Sequence, residues 1–85
     1  MARAIFIFEK DDLHARFSVI DANHANKMIE QIQDAQISQP PKNQIINALQ
    51  SFIQFPHIVE CYVNITNVDE YYKIHSIYGE TDIYW

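Results

Sequence analysis

Hydrophobic and polar positions along the chain switch from a period of two to a helical period and back again, and each switch marks a change of element. Residues 4–8 (Ala-Ile-Phe-Ile-Phe) are a run of β-branched and aromatic side chains that predicts a strand, and residues 9–12 predict a polar turn. Residues 13–20 then alternate. Leu13, Ala15, Phe17 and Val19 share one face, and His14, Arg16, Ser18 and Ile20 share the other. That alternation predicts a second strand with one buried face, and so a β-hairpin.

From Asp21 the spacing becomes helical. Asp21 is a suitable N-cap, because its carboxylate accepts from the free amides of a first turn. Ala22, Ala25, Met28, Ile29, Ile32 and Ala35 fall on one stripe. Residues 38–41 break this helix. Pro41 suits the first turn of the next, where a missing N–H costs nothing. Ile45, Ala48, Leu49, Phe52 and Ile53 make the second stripe, and Pro56 stops it.

Alternation returns over residues 58–65, with Val59, Cys61, Val63 and Ile65 facing inward. Residues 71–78 read as a fourth strand with Lys73 and His75 on its wet face, Gly79 as a turn, and residues 83–85 as a short edge strand. The expected order is ββααββ. This predicts one α+β domain over residues 1–85, with two layers: an antiparallel sheet of four to five strands and two helices on one of its faces. The predicted core is Phe6, Phe8, Phe17, Met28, Ile32, Leu49, Phe52, Val59, Val63 and Ile74. The opposite sheet face would show Ile5, Ile7, Ile20, Tyr62 and Tyr71 with nothing to cover them.

Composition narrows the function by exclusion. The chain has 85 residues, 48% of them hydrophobic, which fits one ordinary globular domain. A single glycine excludes the glycine-rich loops that cradle phosphates and dinucleotides. A single cysteine, Cys61, excludes an internal disulfide and a cysteine-based zinc finger. The net charge of −5 argues against direct nucleic-acid binding, which needs a basic footprint. The N-terminal apolar run is too short for a signal peptide and no stretch is long enough to span a membrane, so a cytoplasmic location is expected.

Candidate chemistry is sparse. Two histidines and a carboxylate (His14, His75 and Glu60) would share the open sheet face and form a legitimate metal set, but they sit at no local ligand spacing, and a solvated surface role is preferred. Cys61 shares its face with Val59 and Val63, where a thiol is inert. The paired acids Asp11–Asp12, Asp69–Glu70 and Glu80…Asp82 fall in expected turns. Neither an enzyme nor a cofactor is expected.

The strongest asymmetry is in the aromatic residues. All five phenylalanines lie in residues 1–55, while all five tyrosines and the tryptophan lie in residues 62–85. Residues 60–85 also carry five acids and one base. Tyr and Trp combine an apolar body with a polar handle and are enriched at interface hot spots. Tyr62, Tyr71, Glu80, Asp82, Tyr84 and Trp85 are therefore the expected partner-binding residues, although the same tyrosines also suit a plain solvated sheet face. The expected function is that of a small acidic inhibitor that occludes a basic, nucleic-acid-handling protein. A phage-type inhibitor of a CRISPR complex or other host defence nuclease fits, and so does an immunity protein for a nuclease toxin. A structural or regulatory homo-oligomer, paired through the open sheet face, is the alternative of another class.

Overall fold

The computed structural model describes residues 2–78. Their order is β1 (Arg3–Lys10), β2 (Leu13–Val19), α1 (Ala22–Asp34), α2 (Gln39–Gln54), β3 (Ile58–Asn64) and α3 (Val68–Tyr78). The α+β class holds, but the sheet differs from the expectation. Among the described residues it has three strands in the order β2-β1-β3, with β1 antiparallel to β2 and parallel to β3. The order is thus ββααβα, not ββααββ. The edge strand expected at residues 83–85 lies outside the described residues.

The hairpin pairs Lys10 with Leu13, so Asp11 and Asp12 alone make the turn. Asp11 has a φ of 56°, in the left-handed region, where a Cβ crowds the backbone. Asp11→Gly is expected to raise stability by about 0.5 kcal/mol, since relief of that strain outweighs the extra freedom of an unfolded glycine. A thermal melt checks this, and a lower Tm would overturn it.

Asp21 caps α1 as expected, its Oδ1 accepting from the His24 amide at 2.7 Å. No basic residue occupies the last turn of α1. Neighbouring helices supply the cations instead. Lys42 donates to the Gln33 carbonyl at 3.1 Å and Lys73 to the Gln36 carbonyl at 2.9 Å, at the negative end of the helix dipole. Helix α2 starts after Ser38 with proline in its first turn and ends at Gln54, with Phe55 as its C-cap before Pro56.

The largest correction concerns residues 71–78, which form most of a helix, α3, and not a strand. Asn67 starts it: its Oδ1 accepts from the Glu70 amide at 3.0 Å, and its carbonyl accepts from the Tyr71 amide at 3.3 Å. Tyr71, Ile74 and Tyr78 then fall on one helical stripe and are buried. Glu70, only 6% exposed, joins three segments. Its carboxylate accepts from the Ser38 amide between α1 and α2 at 2.5 Å, and from the Thr66 amide and hydroxyl after β3.

All three helices cover one face of the sheet. Ala4, Phe6, Phe8, Ala15, Phe17, Val19 and Val63 point into the core from the strands, and Met28, Ile32, Ile45, Leu49, Phe52, Ile74 and Tyr78 meet them. Every predicted core residue is buried except Val59, which packs against the core partly covered. Each such apolar side chain contributes about 1.5–3 kcal/mol on burial. Tyr78 sits where three rings converge, with centroids 5.2 Å from Phe17, 5.4 Å from Phe6 and 5.6 Å from Phe8.

Candidate functional site

With the helices on one side, the other side of the sheet is left without a covering element among the described residues. Strand register sets out its surface in rows. Arg3 lies beside Ile58, Ile5 lies between Ser18 and Glu60, Ile7 between Arg16 and Tyr62, and Glu9 between His14 and Asn64. Ile58 and Tyr62 are each 65% exposed, and Ile20 is 48% exposed. Of the apolar residues expected to show on an uncovered face, Ile20 and Tyr62 are exposed and Ile7 is half-buried, but Ile5 is buried, at 6% exposure, beside a buried Ser18. Tyr71 does not belong to it. At one end of the face, Glu9 lies 3.6 Å from His14 Nε2. A cleft of about 470 Å³ opens there between residues 9–11 and residues 62–65.

The outer edge of β3 is occupied by a side chain. Gln44 of α2 donates from Nε2 to the Tyr62 carbonyl at 3.2 Å and accepts at Oε1 from the Asn64 amide at 2.8 Å. One carboxamide thereby does what a peptide unit of a further strand would do, and it blunts that part of the edge. Beneath it the Cys61 thiol reaches the Gln44 carbonyl at 3.7 Å, and burial pushes the thiol's pKa up. That is the environment of an inert cysteine, not of a nucleophile.

A second surface lies on α3. Its helical spacing turns Tyr71 inward and leaves Val68, Asp69 and Tyr72 outward, with Tyr72 56% exposed. The Tyr72 ring stands edge-on to Tyr71, with centroids 5.6 Å apart and planes at 87°, so a buried ring braces an exposed one. Burial, and then the neighbouring Tyr72, raise the pKa of Tyr71.

Comparison with family models, curated proteins and solved structures finds no match to this chain. The site therefore rests on its geometry alone. Of the expected partner-binding residues, Tyr62 is on the open sheet face, Tyr71 is in the core, and Glu80, Asp82, Tyr84 and Trp85 lie outside the described residues. Tyr72 was not singled out by the sequence pattern, because a strand reading puts it on the inner face. The Asn67-Val68-Asp69-Glu70 run, a helix start signal, was the clue to its outward position. The histidines separate as well. His75 packs on Phe17 with centroids 5.4 Å apart, on the covered side, away from His14 and Glu60. Among the described residues no three His, Cys, Asp or Glu side chains gather as metal ligands, and no helix is long and apolar enough to cross a membrane.

Proposed function

We propose that this chain is a small, non-catalytic, cytosolic inhibitor that occludes a basic, nucleic-acid-handling protein, such as a host defence nuclease met by a phage. Docking runs through the outer face of α3 and the acidic residues that follow it. The observation that carries this reading is Tyr72, a braced and exposed ring beside Asp69 and Val68, in the third of the chain that holds most of its net negative charge. Acidic charge steers the chain towards a cationic groove built for phosphate, and the aromatic ring then anchors it. Glu80, Asp82, Tyr84 and Trp85 follow α3 in the sequence and join this reading by charge and residue type alone.

The test begins with capture of the target and continues with competition by duplex DNA. Tyr72→Ala is expected to speed dissociation and to cost about 2 kcal/mol, or roughly thirty-fold in Kd. Asp69→Lys with Glu80→Lys should instead slow association and flatten its salt dependence. Full affinity in Tyr72→Ala, or a target that duplex DNA fails to displace, would overturn the reading. A toxin nuclease as the captured target would make the chain an immunity protein.

A further inference from the structure

We propose that the cleft at the turn end of the sheet receives an arginine side chain of the basic partner. Its walls supply what such a side chain needs. Ile7 and Ile65 offer apolar surface to the stem, the exposed Tyr62 ring offers a face to the guanidinium, and Glu9 and Asp11 offer carboxylates. A guanidinium stacks on an aromatic face within about 6 Å of its centroid and forks onto carboxylates. The cleft's volume, about 470 Å³, falls in the range of roughly 300–1,000 Å³ typical of small-ligand sites. That the arginine belongs to a basic protein rests on the function proposed above; the cleft's preference for a cation does not.

Register puts these parts within one side chain's reach. Tyr62 lies beside Ile7, and Glu9, two residues further along β1, lies beside Asn64. Two residues of strand span about 6.6 Å, so a guanidinium over Tyr62 also meets Glu9. Lys10 lines the cleft too, but strand alternation turns its side chain to the other side of β1. Arg16 shares the sheet face but stands on β2, two strand spacings or about 9.5 Å from Tyr62. His14 approaches Glu9 at 3.6 Å from the β2 side, an ion pair only when protonated, and both side chains are exposed. Exposed pairs of this kind are weak, so an incoming guanidinium displaces it. Asp11 is held at the first position of the two-residue turn. Val68 and Asp69, on the outer surface of α3, follow Ile65 by three and four residues, so a partner that wraps this end meets both surfaces.

The test is an NMR titration of the full chain with Nα-acetyl-arginine amide, followed at the backbone amides of residues 9–11 and 62–65. A Kd of about 1–10 mM is expected, the range open to a single side chain. The uncharged citrulline analogue should bind at least about ten-fold more weakly, and the lysine analogue about three-fold, because an ammonium neither stacks flat nor forks. Tyr62→Ala, and separately Glu9→Gln with Asp11→Asn, should each weaken binding by at least about five-fold. All three positions are exposed, so these variants keep the fold. An alanine peptide holding one arginine should bind at least as well as the amide. Free arginine brings an α-carboxylate against the same two acids and should bind less well. No shifts at these amides, a citrulline analogue that binds equally, variants that bind unchanged, or free arginine that binds best would each overturn the proposal. These titrations use no target, so their outcome is independent of the part played by Tyr72.

Discussion

Tyr78→Ala is expected to cost about 3–5 kcal/mol and to leave the chain largely unfolded at 37 °C. Its ring is fully buried and stacks on Phe17 while touching Phe6 and Phe8, so truncation opens a cavity bordered by both β1 and β2. Tyr78→Phe keeps the ring and separates packing from ionisation. Burial, and secondarily the nearby Cys61, hold the Tyr78 phenol well above its ordinary value of 10.0. An unfolded tyrosine gives up its proton near pH 10 while the folded one keeps it, so Tyr78's stabilising contribution is complete below pH 10 and falls above it. The parent should therefore lose up to about 1.4 kcal/mol per pH unit that Tyr78→Phe does not lose. Melts at pH 8 and pH 11 check both effects. Equal melting of Tyr78→Ala and parent at pH 8 would refute the placement of α3 on the sheet.

Removing the Glu70 carboxylate should cost about 1–3 kcal/mol, the usual cost of leaving covered donors without an acceptor. Glu70→Ala deprives the Ser38 amide, the Thr66 amide and the Thr66 hydroxyl together, and so loosens the joint between the α1–α2 connection and the start of α3. Desolvation pulls this carboxyl's pKa upward, but the hydrogen bonds from Thr66 and Ser38 outweigh it and hold it below its ordinary 4.5. Since the folded value is the lower one, the stabilisation is present above pH 4.5 and is lost as pH falls through the folded value. Glu70→Gln should narrow the gap to the parent as the solution is acidified. A gap that stays constant from pH 7 to pH 3 would mean that the carboxylate's charge contributes nothing.

What the pattern revealed and what it missed follow from what periodicity encodes. Alternation fixes which face a side chain occupies, so Phe17, Val63 and the exposed Tyr62 were placed correctly. It carries no information about strand direction, which the connections decide. The path through α1 and α2 brings β3 back parallel to β1, and nothing in Ile58–Asn64 announces that. Residues 71–78 were misread because Tyr and Ile favour strands, yet Tyr71, Ile74 and Tyr78 also fit a helical stripe. Here the local start signal at Asn67 and Glu70 outweighed β-propensity. The exposed ring is therefore Tyr72, not Tyr71, and the proposed docking surface moves with it.

The central position of β1 also sets the order in which this fold can assemble. Its pairing with β2 closes through a two-residue turn, whereas its pairing with β3 must wait until residues 11–57 have been gathered. Loop-closure entropy makes the first contact cheap and early and the second late. The hairpin is thus the piece the emerging chain can form first, with β3 and α3 joining only after α1 and α2 have been made. During that interval one edge of β1 stands unpaired, with Gln44 not yet in place over β3. The nascent chain is then most open to mispairing with its neighbours.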